Sequence, residues 1–256
     1  MKDQQIRAIE AMGLGPIWVR RHDDAQADTQ VDMQADAPQS GYACEPLEDR
    51  ADTIASMSWD RLIETVVTCR ACRLCETRTQ AVFGVGVVDG GVGNAGPDWM
   101  IIGEAPGADE DARGEPFVGQ AGRLLDAMLA SVGLSRERNV FIANVLKCRP
   151  PGNRDPTPDE VARCLPFLHR QIELLAPRMI LVVGKFASAA LLGREATIAS
   201  LRGKEHRVSI AGREIPVVVT YHPAYLLRSP QEKAKAWADL CLAKRIHDRS
   251  DSTTAA

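Results

Sequence analysis

The sequence contains no apolar run of about 18 residues, the length that a membrane-spanning helix needs. Its first residues, MKDQQIRAIEAMGLG, also lack the continuous apolar core of a secretory signal peptide. Both absences favour a cytoplasmic protein. Paired disulfides are rare in that reducing compartment, so cysteines that cluster in the sequence indicate metal binding or catalysis.

No internal repeat occurs either, and charge is distributed unevenly along the 256 residues. Residues 1–56 carry five Lys or Arg and eleven Asp or Glu, whereas residues 57–256 carry 26 and 23. The body of the chain is therefore mildly basic. A net charge of +3 permits DNA binding without demonstrating it, because the distribution of the positive charge over the surface decides the matter.

Composition predicts four segments. Residues 22–56 include the polar, aperiodic run DDAQADTQVDMQADAPQSG, which is typical of a disordered acidic linker. Residues 57–248 are predicted to form the folded domain, and residues 249–256 a disordered tail. Residues 1–21 contain an apolar and basic stretch, which indicates either a docking peptide that folds on a partner or a flap that packs on its own domain.

Four apolar runs in the body predict buried parallel strands: WMIIGEAPG, VFIANVLKC, MILVVGKFA and IPVVVTYHP. Helical patterns separate them, and one of these helices has a capping box at Thr157 and Glu160 with Pro158 at its first position. We therefore predict a three-layer α/β/α domain around a central, mostly parallel four-stranded sheet. The site should lie at the carboxyl ends of the strands.

Cysteines form the first candidate site. Cys69 and Cys72 are a C-x2-C pair, the same spacing repeats to Cys75, and Cys148 and Cys164 follow later. Four thiolates suit zinc or a [4Fe–4S] cluster, and spacing alone does not distinguish the two. The alternative is that Cys148 and Cys164 are small buried apolar residues.

Loops that follow the strands form the second candidate site. Gly103 to Gly107 read GEAPG, a tight turn that brings backbone N–H groups close to a ligand, with Glu104 at its mouth. His222 follows the last strand and is suited to donate to a developing anion. Each feature by itself also fits an ordinary strand–loop corner.

Five ordered motifs, taken together, resemble the family 4 uracil-DNA glycosylases, the iron–sulfur branch of that superfamily. They are CRACRL…ETR…VFGVG, GEAPGADEDARGEPFVGQAGRLLD, NVLKCRPPGNRDPTPDEVARC, LVVGKFA and YHPAYLLRSP, between about Cys69 and Leu242. The resemblance implies a monomeric base-excision-repair enzyme that flips uracil out of DNA, hydrolyses its N-glycosidic bond and leaves an abasic site. It also implies a [4Fe–4S] cluster held by Cys69, Cys72, Cys148 and Cys164, with Cys75 as a bystander.

Roles in the cleft follow from the same resemblance. Phe117 matches the residue that stacks on uracil, Asn144 the amide that pairs with its O4 and N3 edge, and His222 the donor to its O2. Gly103, Glu104 and Ala105 surround the base. Because Ala105 stands where other branches orient the water with an aspartate or asparagine, we assign that task to Glu104, with Glu110 as the alternative.

Glu110 is also our candidate for the pocket wall that excludes the methyl group of thymine. For DNA, the resemblance implies that Leu226 fills the vacated base stack and that Lys185 and Arg228 contact phosphates. Residues 9–21, IEAMGLGPIWVRR, are weakly similar to the N-terminal segment of the clamp-loader psi subunit, which implies docking to a replication or repair protein.

Two rival functions remain for the same motifs. One is a covalent uracil-DNA binder, although the inserted basic loop of that branch is not visible after LVVGKFA. The other is a non-catalytic iron–sulfur module that binds DNA or accompanies a polymerase.

Overall fold

A computed structural model describes residues 47–88 and 96–254, with side chains described as far as residue 249. All of these residues lie in the unit that spans residues 41–256. The predicted docking segment and most of the predicted linker fall outside the described residues. The described helices include none with both the length and the hydrophobicity to cross a bilayer.

A six-stranded sheet forms the centre of the domain, in the order β1-β3-β2-β4-β6-β5. The four inner strands are parallel, whereas the edge strands β1 and β5 run antiparallel to β3 and β6. The strands are β1 (Val85–Gly86), β2 (Trp99–Gly103), β3 (Val140–Asn144), β4 (Met179–Val183), β5 (Glu205–Ile210) and β6 (Arg213–Thr220).

Helices cover the sheet on both faces. They are α1 (Leu47–Ala55), α2 (Trp59–Thr68), α3 (Leu74–Thr77), α4 (Ala108–Arg113), α5 (Gln120–Ala130), α6 (Pro158–Leu175), α7 (Lys185–Leu192), α8 (Ile198–Leu201), α9 (Pro223–Arg228) and α10 (Lys233–Thr254). Short 3₁₀ turns occupy Pro151–Asn153 and Pro230–Glu232. The predicted capping box of α6 is present: Glu160 N donates to Thr157 Oγ1, and Thr157 N donates to Glu160 Oε2.

Strands β2, β3 and β4 are buried along their whole length, and β6 is buried from Ile215 onward, because these strands contribute side chains to both faces. One core joins alternate strand residues to helices α5, α9 and α10, for example Ile101, Leu125 and Leu240. The other joins the intervening strand residues to α6, α7 and α8, for example Ile102, Leu168 and Leu191. This arrangement confirms the predicted three-layer α/β/α fold with four parallel central strands.

Two boundaries differ from the prediction. Residues 47–55, which we assigned to the linker, form α1, and its Arg50 and Ile54 are buried. Helix α10 continues to Thr254, beyond the predicted start of the tail at residue 249. Composition misses α1 because its exposed polar residues outnumber the two buried side chains, Arg50 and Ile54. The β1 and β5 edge strands were also not predicted, because β1 has two residues and the six residues of β5 include only two apolar ones, Val208 and Ile210.

Candidate active site and cysteine pocket

Strand ends bring the predicted cleft residues together. Gly103 and Asn144 end β2 and β3 and are direct partners in the parallel register. His222 follows β6 and caps α9. The cleft at this edge of the sheet is lined by Glu104, Ala105, Pro106, Gly107, Glu110, Phe117, Ala121, Asn144, Pro150, Asn153, Arg154, His222, Ala224, Tyr225 and Arg228.

Gly103 lies directly beneath this cleft, where no side chain would fit. A Cβ atom at Gly103 would overlap Oδ1 of Asn144 and would lie 2.7 Å from Cζ of Phe117. That distance is shorter than the contacts that Cβ atoms make in proteins. Glycine at the end of β2 therefore allows the Asn144 amide and the Phe117 ring to stand side by side.

Asn144 has an unsatisfied acceptor. Its side chain is only 2% exposed, and its Oδ1 has no hydrogen-bond partner among the described residues. A buried polar atom without a partner is costly, and most such atoms in folded proteins are paired. The Asn144 amide is therefore arranged for a ligand that brings a donor into the cleft.

His222 is held as a neutral donor. Its Nδ1 accepts a hydrogen bond from Ala224 N at 3.2 Å, so the proton of the neutral ring lies on Nε2. Burial, with a smaller contribution from Arg228, lowers the pKa of His222 to about 4. The ring faces Phe117 with their centroids 5.5 Å apart and an angle of 30° between the planes.

Carboxylates in the cleft have different environments. Burial, with a contribution from the negative charge of Asp155, raises the pKa of Glu104 to about 7. Glu110 instead accepts hydrogen bonds from Gly107 N at 3.1 Å and from Val118 N at 3.2 Å. Glu110 thereby joins the GEAPG turn to the loop that carries Phe117.

The five clustered cysteines line a second pocket. Cys69 ends α2, Cys72 and Cys75 flank the start of α3, Cys148 follows β3, and Cys164 lies in α6. All five thiols are free, and apolar side chains including Val66, Leu74 and Phe167 complete the lining. Cys75, which we treated as a bystander, lies in this pocket as well.

Positive groups surround the sulfur atoms. Arg78 Nη1 donates to Cys148 Sγ at 3.0 Å, and Arg50 Nη2 donates to Cys69 Sγ at 3.4 Å. Burial raises the pKa of the Cys164 thiol to about 12. In the described residues, no three His, Cys, Asp or Glu side chains converge closely enough to hold a metal ion as they stand.

Lys147 connects the two sites. It lines the cysteine pocket, and its buried ammonium donates to the Asn144 carbonyl oxygen at 2.8 Å and to Gln171 Oε1 at 2.6 Å. Burial lowers the pKa of Lys147 to about 8. Among the described residues no carboxylate pairs with this buried ammonium, so it is best stabilised when the neighbouring thiols are ionised.

The DNA-contact predictions have mixed outcomes. Arg228 lines the cleft. Lys185 is exposed at the first turn of α7 and is not among the cleft-lining residues. The prediction for Leu226 is wrong: its side chain is 1% exposed and packs in the core between the sheet and the helices, so it cannot enter a base stack.

Several lining residues carried no predicted role. Pro150, Asn153 and Arg154 come from the loop after β3, and Arg154 is paired with Glu160 at 2.6 Å. The signal was the Pro/Gly-rich run CRPPGNRDP that directly follows the strand of Asn144. Tyr225 of α9 also lines the cleft, and its ring centroid lies 5.0 Å from that of Tyr221.

Comparison with known proteins agrees with this geometry. A family model described as the uracil DNA glycosylase superfamily matches residues 91–241. The type-4 uracil-DNA glycosylase of Archaeoglobus fulgidus is 44% identical over 186 residues, which cover 71% of this chain and 89% of that protein. That of Pyrobaculum aerophilum is 43% identical over 190 residues, which cover 73% and 93%. The chain therefore belongs to the type-4 branch of the uracil-DNA glycosylase superfamily.

Proposed function

We propose that this chain is a monofunctional uracil-DNA glycosylase of base-excision repair, which flips uracil out of DNA and hydrolyses its N-glycosidic bond. The observation that carries the proposal is the buried Oδ1 of Asn144, which has no hydrogen-bond partner among the described residues, in the same cleft as the neutral ring of His222. Uracil offers an N3–H donor to Asn144 Oδ1 and an O2 acceptor to the His222 ring. Phe117 supplies the aromatic surface on which the base stacks.

Asn144 reads the edge of the base. Its Oδ1 accepts the N3–H of uracil, and its Nδ2 donates to O4. Cytosine has an unprotonated N3 and a donating amino group at C4, so both hydrogen bonds would be lost with that base. Glu110 stands in the cleft wall, fixed by two backbone amides, and it limits the room for a methyl group at C5.

His222 stabilises the leaving base. When the bond from C1′ to N1 breaks, its electron pair stays on uracil and spreads to O2. A neutral Nε2–H donor held at O2 stabilises that negative charge without transferring its proton at the start. The backbone N–H groups of the Gly103–Ala105 turn lie at the same end of the sheet.

Glu104 supplies a negative charge for the sugar. As a carboxylate it stabilises the positive charge on the deoxyribose and accepts the proton of the water that attacks C1′. Among the described residues that line the cleft there is no lysine, so the site offers no amine to form a Schiff base with the sugar. The product is then free uracil and an abasic site, and the DNA backbone stays intact.

The cysteine pocket suits a [4Fe–4S] cluster bound by Cys69, Cys72, Cys148 and Cys164. Four of the thiols that line this pocket match the cluster ligands that the family resemblance implies, which favours iron and sulfide over a zinc ion. Arg50, Arg78 and Lys147 favour the thiolate form of the ligands.

When bound, the cluster would act as a structural cross-link between the Cys69–Cys72 turn and the Cys148–Cys164 segment.

Uracil release tests the function directly. Wild-type protein should release free uracil from a uracil-containing oligonucleotide, and thymine should stay in place. His222→Ala should lower the rate by roughly 10²–10³-fold, because it removes one donor to the developing anion. Asn144→Ala should lower it to a similar extent or more, since unsatisfied groups on the base cost about 1–3 kcal/mol each.

Full activity of both variants would refute this site. A stable covalent adduct would identify the covalent binder instead of a turnover enzyme. Binding to the oligonucleotide without release of the base would identify the non-catalytic module.

The rate of uracil release should depend on pH through Glu104. The pKa of this group is raised to about 7, so kcat/KM should fall as the pH drops below about 7 and the carboxylate is protonated. Asp155→Asn should move the midpoint to lower pH, because it removes a negative charge that disfavours ionisation of Glu104. Glu104→Gln should abolish this limb of the profile.

Asp60→Asn, on α2 away from the cleft, is the matched control and should leave the midpoint unchanged. An unaltered limb in the Glu104→Gln variant would assign the titration to another group.

Iron content tests the cluster. Protein prepared without oxygen should contain about four irons per chain with the visible absorbance of an iron–sulfur protein. Cys69→Ala should lose the cluster, whereas Cys75→Ala should keep it. The opposite result would exchange the roles of these two cysteines, and stoichiometric zinc in place of iron would contradict the cluster.

Leu227 replaces Leu226 as our candidate for the residue that fills the vacated stack. Its side chain is 42% exposed on α9, between the cleft-lining Tyr225 and Arg228. Leu227→Ala should reduce uracil release from duplex DNA roughly tenfold, since stacking contacts contribute about 1–3 kcal/mol. Release from single-stranded DNA should change little, because no partner stack has to be filled.

Leu174→Ala, at an exposed leucine of α6, is the control and should affect neither substrate. Leu226→Ala should instead lower the free energy of unfolding by about 2–5 kcal/mol. Equal loss on duplex and single-stranded DNA in Leu227→Ala would argue against this assignment.

A further inference from the structure

Phe117 has an unusual backbone for an aromatic residue. Its φ angle is +56°, in the left-handed region that favours glycine and that bulky residues rarely adopt. Such strain persists only where the surrounding structure imposes it. The ring is buried against His222 at the edge of the cleft, so the backbone angle determines where the stacking surface stands.

Arg136 holds this backbone from one side. Its Nη1 donates to the Pro116 carbonyl at 2.9 Å, and its Nη2 donates to the Phe117 carbonyl at 2.6 Å. Its Nε is paired with Asp126 at 2.6 Å. A guanidinium offers several donors in a rigid, planar fork, so one side chain can fix two consecutive carbonyls.

Two other groups hold the same loop. Val118 N donates to Glu110 Oε1, so the peptide that follows Phe117 is anchored to the GEAPG side of the cleft. Gly122 of α5 approaches so closely that a Cβ atom there would overlap the Phe117 carbonyl. Consecutive peptide groups are therefore held by Arg136, Glu110 and the α5 backbone.

We propose that Arg136 is a positioning residue for catalysis, which holds Phe117 in its left-handed conformation and so sets the surface on which the base stacks. This inference rests on the proposed function. Arg136 is not among the residues that line the cleft, so it acts through Phe117 and not by contact with the substrate.

A double-mutant cycle tests this coupling. Arg136→Met should lower kcat/KM for uracil release roughly 10- to 100-fold, since small displacements in an active site have effects of this size. Phe117→Ala should lower it by at least as much. In the Phe117→Ala background, Arg136→Met should cause less than about a twofold further loss, because residues that act as a unit are not additive.

Arg138→Met is the matched control, because it removes the same charge from the same turn, and among the described residues the side-chain hydrogen bond of Arg138 goes to Ser135 Oγ. It should leave kcat/KM unchanged. Arg136→Lys should fall between wild type and Arg136→Met, since one ammonium cannot reproduce the fork. All rates are measured well below each variant's Tm, so a lower stability does not mimic the effect.

Independent, multiplicative losses in the double variant would overturn the proposal, as would full activity of Arg136→Met. Absence of uracil release by the wild-type protein would refute the proposed function instead. If the wild-type protein releases no uracil, hydrogen exchange of the Val118 amide still tests whether Arg136 holds the Phe117 loop. Exchange should be faster in Arg136→Met than in Arg138→Met, and equal rates would overturn the inference.

Discussion

Close packing between the ends of two parallel strands is the constraint on which the site depends. Gly103 and Asn144 are register partners, and the missing side chain at Gly103 leaves the space that the Asn144 amide and the Phe117 ring occupy. Phe117 in turn stands where it does because the adjoining loop is held by Arg136, Glu110 and α5. The cleft is therefore prepared before any ligand arrives, which reduces the cost of ordering it on binding.

Burial controls the charges of the cleft in opposite ways. It keeps His222 neutral over the physiological range, so the ring can donate a hydrogen bond without carrying a positive charge into a site that must bind a flipped base. The same burial moves the pKa of Glu104 to about 7, close to the pH at which the enzyme would work. In this cleft, desolvation shifts the pKa values of His222 and Glu104 more than nearby charges do.

Lys147 gives the cysteine pocket a physical link to the cleft. Its ammonium holds the Asn144 carbonyl while the same side chain lines the cysteine pocket. Arg50 from α1 and Arg78 from the segment after α3 reach the sulfurs from two other directions. The pocket therefore gathers the N-terminal helices, the end of β3 and α6 around one centre, as a structural cluster would require.

Sequence by itself determined the parallel sheet, the capped helix at Thr157, the clustered cysteines and about half of the residues that line the cleft, because each depends on local pattern or on motifs at strand ends. It also identified the family, since five ordered motifs rarely coincide. Only the tertiary structure decided that Leu226 faces the core and Leu227 the solvent, because neighbouring positions on a six-residue helix are equally apolar. It also decided that Arg136, some twenty residues from Phe117, fixes the strained backbone of that residue. Contacts of this kind depend on how a turn and a loop meet in space, and no local pattern records them.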